Sequence, residues 1–190
     1  PDGGWHWRDA TAGKPIPTNM SSDTDMTAAA IGSLCAAGAT ADDPQVAAGL
    51  GLIATRQSKT HGGFSTGASE TSINTNTTAW TVSALNRCGI DPQGPDWITA
   101  NGKTPLDFLL AMQNADGSFR YVLNSSPGAA NLMASYQAVP ALAGADWSVP
   151  APPREDPGLP AIKPAQSVDP GTVVPMMLIV DHGPATPTAE

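Results

Sequence analysis

Apolar positions along this chain recur at helical spacing, and glycine interrupts them at regular intervals. Ala28, Ile31, Leu34 and Cys35 are spaced by three and one, which is one face of a helix. The spacing predicts a helix over 19–38, capped by Ser21, Ser22 or Asp23 and stopped at Gly38 in left-handed backbone. Asp42-Asp43-Pro44 predicts the next start, with an aspartate as cap and proline in the first turn. Val46, Leu50 and Ile53 carry that helix to about Gln57. Gly49 and Gly51 weaken it in isolation, so tight packing on a neighbour is expected. A third helix is predicted over 73–87, with Trp80, Val82 and Leu85 inward or between helices and Gly89 as its stop. Trp97 should anchor the connection over 91–102. Thr104-Pro105 opens a fourth helix through Leu106, Leu109 and Leu110 to Gln113, and a fifth spans 129–142 with Gly144 behind it.

One turn occurs three times between these helices: Asp2-Gly3-Gly4-Trp5, His61-Gly62-Gly63-Phe64 and Asp116-Gly117-Ser118-Phe119. Gln57 and Gln113 precede the second and third copies at the ends of apolar runs. An offset of 51 brings Asp23, Asp25, Thr27, Ala28, Leu34 and Gly38 onto Asn74, Asn76, Thr78, Ala79, Leu85 and Gly89. An offset of 55 brings Phe64, Asn76, Ala79 and Gly89 onto Phe119, Asn131, Ala134 and Gly144. The first copy carries about eight extra residues within 8–18 by this same register. Two helices per period predict a helical repeat array. Gly3, Gly4, Gly62, Gly63 and Gly117 are expected to supply the backbone angles of the turn, with Trp5, Phe64 and Phe119 packed beneath it.

Composition divides the chain in two. Ten of its nineteen prolines follow Trp147, so 1–147 reads as a repeat domain and 148–190 as a proline-rich, extended tail. Within the tail, 173–180 is a short apolar, β-prone run expected to dock as a strand or strap, on this chain or on a neighbour. A net charge of −8 argues against nucleic acid as a partner. No span approaches the roughly 18–20 apolar residues of a transmembrane helix. The chain has no initiator Met, and Pro1 already stands in a repeat turn, so it is expected to be a piece of a longer protein. Few lysines and many Thr, Ser, Ala and Asn suit an exported protein.

The stretches 57–64 and 113–119, with Thr78-Ala79-Trp80 and Met133-Ala134-Ser135, resemble the terpenoid cyclase/prenyltransferase α/α-toroid superfamily. The most specific stretch is Thr104-Pro105-Leu106-Asp107-Phe108-Leu109-Leu110 through Gln113 to Phe119. The resemblance covers about 1–147 and is nearest to bacterial prenyltransferase-like repeat proteins and to the transcobalamin branch. It implies an all-α, partial α/α toroid of about three helix pairs, with inner helices lining a bore, in an exported or surface-located bacterial protein.

Asp23-Thr24-Asp25-Met26-Thr27-Ala28 is similar to the acidic motif of class II terpene cyclases, in which a central aspartic acid protonates an olefin. That chemistry needs a carboxylic acid held protonated by its surroundings. By position Asp25 would donate and Asp23 assist, but Met26 stands where those enzymes carry a further aspartate. Helix capping accounts for aspartate and asparagine here without any ligand. Asp23, Asp25, Asn74, Asn76 and Asn131 are therefore candidates both for ligand contact at inner-helix starts and for capping. The histidines, His6, His61 and His182, fall in turns or the tail and show no metal-ligand spacing, so neither metal nor cofactor is expected. Cys35 and Cys88 lie in the last turns of consecutive inner helices, where they could bond to each other or serve as small buried residues. The expected function is non-enzymatic: an exported module binding a partner protein or ligand, with a subunit role in a surface assembly as one form of it. Cobalamin- or isoprenoid-like binding in a bore, and a cyclase fragment, are the alternatives.

Overall fold

A computed structural model describes residues 2–6, 21–125 and 129–145. The extra residues of the first copy, Trp147, His182 and the expected docking run over 173–180 lie outside the described residues. The chain divides into two units, Pro1–Pro150 and Ala151–Glu190, and every described residue belongs to the first.

The described residues are all-α, with five helices: α1 Thr24–Ala36, α2 Pro44–Arg56, α3 Thr75–Arg87, α4 Pro105–Ala111 and α5 Leu132–Leu142. Short 3-10 turns cover Glu70–Ser72 and Pro95–Trp97. Strand-like pairing among the described residues is limited to isolated antiparallel bridges, such as Gln57 with Phe64 and Gln113 with Phe119.

The helix starts follow local chemistry and correct several sequence expectations. The helix expected over 19–38 begins at Thr24, because the Asp23 side chain accepts from the Met26 N–H and fixes the boundary there. Ser22 does not cap it; its backbone N–H and hydroxyl both donate to the Asp2 carboxylate. Asp43 precedes α2 without capping it. Its carboxylate turns back to accept from the Thr40 N–H at 2.6 Å and the Thr40 hydroxyl. The helix expected from residue 73 starts at Thr75, and the one expected from 129 starts at Leu132. Thr104 and Asp107 form a reciprocal capping box at α4, which allows a seven-residue helix to hold. Pro140 lies inside α5, within its last turn.

Helices α1, α3 and α5 pack in that order, α3 in the middle, while α2 lies on α1 and α4 on α3 and α5. Two apolar clusters result. Ile31, Val46, Ile53, Phe64 and Leu85 close the first, and Val82, Phe108, Leu109, Met112 and Phe119 close the second. Trp97 is buried, with its ring edge-on to Phe64 at 5.8 Å between centroids. A disulfide joins Cys35 in the last turn of α1 to Cys88 at the end of α3.

The glycines divide into two kinds. Gly3, Gly62 and Gly117 in the turns have positive φ, as do the helix stops Gly38, Gly89 and Gly144. Gly4 and Gly63 do not, contrary to the expectation that all five turn glycines supply backbone angles. They are glycines because there is no room: a Cβ on Gly63 would stand 2.5 Å from the Phe108 ring, and one on Gly4 would meet Leu52 and Ser22. In α2, Gly49 has the expected close neighbour, Ile31, but Gly51 faces open space.

Candidate functional site

Each turn is tied to the helix after it by the same set of bonds. The aromatic residue's N–H donates to a hydroxyl on the helix: Trp5 to Thr27 at 3.0 Å, Phe64 to Thr78 at 2.9 Å and Phe119 to Ser135 at 2.9 Å. That hydroxyl donates in turn to the carbonyl of the residue before the helix, Asp23, Asn74 or Asn131. The N–H of the same residue returns to the aromatic residue's carbonyl. Its side chain accepts from the helix at Met26, Thr77 or Ala134. Gln57 and Gln113 close their turns through Gly62 and Gly117 carbonyls.

These bonds correct the register of the third unit. Asn131 is equivalent to Asn74 and Ser135 to Thr78, an offset of 57 at the helix start, and not the 55 that set Asn131 on Asn76. Two residues are lost from the third helix, because α3 has 13 residues and α5 has 11.

The five candidate polar residues consequently separate. Asp23, Asn74 and Asn131 are all helix caps. Asp25 and Asn76 stand two residues further on, at equivalent positions of α1 and α3, and each has a buried Oδ1 that accepts no hydrogen bond from the protein. Burial pushes the Asp25 carboxyl above the usual carboxylate range; the Thr77 hydroxyl opposes this and the Asp23 charge adds to it. Asp25 is thus biased towards its protonated form, with the Thr77 hydroxyl and the Asp23 carboxylate acting on it. Buried Arg56, which sequence reading missed, ends α2 with its Nε lacking a protein acceptor. Its place in the period is that of core Met112, so only the residue type could have flagged it.

Comparison of the chain with protein-family models, with curated proteins and with solved structures finds no match. Among the described residues, no group of three or more His, Cys, Asp or Glu is placed to hold a metal ion, and no helix is long and apolar enough to cross a membrane.

The largest departure from the repeat lies on α5. Position by position, Thr24, Ala28 and Ile31 on α1 correspond to Thr75, Ala79 and Val82 on α3, and to Leu132, Tyr136 and Val139 on α5. The α1 and α3 residues are at most 1% exposed, whereas Leu132, Tyr136 and Val139 are 87%, 62% and 57% exposed. Met133 beside them is 55% exposed. Sequence periodicity reports that such residues are apolar and cannot report whether anything lies on them.

Proposed function

We propose that this chain is a non-enzymatic, exported helical-repeat module that binds a protein partner, and that the partner sits on the α5 face. The observation that carries the reading is the exposure of Leu132, Met133 and Val139 at positions equivalent or adjacent to those buried in the preceding units. Contiguous large apolar side chains in water mark an interaction surface. The Cys35–Cys88 bond supports export, since disulfides persist in oxidising compartments. Three of the five candidate site residues are engaged as caps, which weighs against a dedicated catalytic cluster. A place in a larger α/α toroid belongs to the same proposal, supported by the α1–α3–α5 row with α2 and α4 against it.

A photo-activated cross-linker in place of Met133, used in the producing cells, tests the reading. Protein adducts from that position, absent when the cross-linker stands at exposed Lys59, are the expected result. Equal labelling at both positions, or none at either, would refute it.

A second reading, small-molecule binding at the inner-helix starts, is favoured by the orphan oxygens of Asp25 and Asn76. Such atoms suit a ligand that donates hydrogen bonds. Calorimetric titration with cobalamin and with an isoprenoid alcohol tests it, and silence in both with the complete protein would remove it.

A further inference from the structure

We infer that Asn101 is a self-modification site. Its side chain closes onto the backbone nitrogen of Gly102 and hydrolyses to aspartate or isoaspartate, which unties the connection before α4 from the second turn. Asn101-Gly102 is the one asparagine–glycine pair in the sequence. Glycine has no side chain to keep its nitrogen from the asparagine Cγ, and it reaches backbone angles that other residues avoid. Asn101, Gly102 and Lys103 are all exposed. Gly102 has a φ of 76°, and a Cβ on it would meet nothing within 4 Å. No packed neighbour therefore opposes a change of backbone geometry at this pair.

The turn also prepares the amide. The Thr99 hydroxyl shares its hydrogen between Asn101 Oδ1 and the Lys103 carbonyl. Donation to Oδ1 draws electrons from Cγ and stabilises the negative charge that gathers on that oxygen during attack. The Gly102 N–H donates to the Thr99 carbonyl at 2.8 Å, and this bond has to open before the nitrogen can turn to Cγ. Water is the only co-reactant. The Gly102 nitrogen forms a bond to Cγ, the Cγ–Nδ2 bond breaks, and Nδ2 leaves as ammonia with the hydrogen from Gly102. Water then adds to either carbonyl of the cyclic imide. Opening at Cγ gives aspartate; opening at the backbone carbonyl gives isoaspartate, with the main chain rerouted through the side chain. The new carboxyl group loses its proton to solvent.

The position of this amide gives the reaction a consequence. Asn101 Nδ2 donates to the Thr60 carbonyl at 2.9 Å, across 41 residues, and so ties the connection to the second turn. Half-buried Gln57 supplies a further tie, its Nε2 donating to the Gly62 and Trp97 carbonyls. Hydrolysis removes the exposed tie and leaves the half-buried one. A carboxylate has no hydrogen to donate, so it would face the Thr60 carbonyl as acceptor against acceptor. The second turn then loosens over 58–63, while Phe64 stays in the core.

Incubation of the purified full chain in warm, mildly alkaline buffer, with peptide mapping by electron-transfer mass spectrometry, tests the inference. The expected result is conversion at Asn101 ahead of Asn124, the other exposed asparagine among the described residues, with isoaspartate among the products. Asn101→Gln should lose the conversion, because its longer side chain would have to close a larger ring. Asn101→Asp lacks the Nδ2 donor from the outset. It should show faster amide exchange at Ser58 and Gly62, whose N–H groups donate within the second turn, and unchanged exchange in α1 and α3. Conversion of Asn124 before Asn101, conversion of Asn101 only after denaturation, or aspartate without isoaspartate would each overturn the modification site. Unchanged exchange over 58–63 in Asn101→Asp would overturn the untying.

Discussion

The backbone N–H of Phe64 and the hydroxyl of Thr78 are 2.9 Å apart, fourteen residues apart in sequence and both buried. The same hydroxyl donates to the Asn74 carbonyl, so one side chain fixes the turn, the helix start and the angle between them. Thr78→Val keeps the shape and leaves a buried N–H without an acceptor, which costs about 1–3 kcal/mol. Thr78→Ser should recover most of that loss. Chemical denaturation of the three proteins checks it, and equal midpoints for Val and Ser would show the hydroxyl to be dispensable. Ser135→Ala should cost less, because its bond to the Phe119 N–H is only partly buried.

The two kinds of turn glycine should respond differently to alanine. At Gly63 the new methyl meets the buried Phe108 ring, so Gly63→Ala must displace a core side chain and should lose about 1–3 kcal/mol. At Gly117 the space is open and only the positive φ of 85° opposes the change. Gly117→Ala should lose about 1–2 kcal/mol, and Gly117→Asn less, since asparagine tolerates this backbone. At Gly63, Asn should be worse than Ala. The reversed order of Ala and Asn at the two sites is what thermal melts would read.

Reducing Cys35–Cys88 should release a denatured chain restrained across a separation of 53 residues. Loop-closure entropy gives about 4 kcal/mol for a loop of that length. The Cys35→Ser, Cys88→Ser double variant should show the same loss without reductant and no further change with it. A variant as stable as wild type would mean that core packing alone holds α1 to α3.

Acidic residues contribute to pH dependence with opposite signs. Hydrogen bonds from Ser22 hold the Asp2 carboxyl down at about 2, so its contribution is present above the ordinary carboxylate value and lost as pH falls towards 2. Burial raises Asp25, so its contribution is greatest below the ordinary value and is lost as pH rises through the raised one. Asp25→Asn should therefore stabilise the protein at pH 7 and have little effect at pH 3. Denaturation at both pH values checks this, and a variant less stable at pH 7 would mean that the Asp25 charge is satisfied by a partner.

Thr104 and Asp107 hold α4 in a reciprocal box. Thr104→Ala should cost about 1 kcal/mol, and amide exchange should show it first in α4, the shortest of the five described α-helices.

Much of the fold was legible because its signals are local. Asp23, Asn74, Thr104 and Asn131 cap within three residues of themselves, and Gly38, Gly89 and Gly144 stop helices through their own φ. Gln57 and Gln113 close turns only five and four residues ahead. The sequence by itself therefore determined the helices, their order and the repeated turn. Only the tertiary structure decided that Gly63 makes room for Phe108, that Asn131 matches Asn74, and that Asp25 is buried while Asp23 caps. Those facts depend on what lies beside a residue after the chain has folded. The α5 face shows this most simply: Leu132 and Val139 are as apolar as any core residue in the sequence, and only packing determines whether such a side chain is covered or exposed.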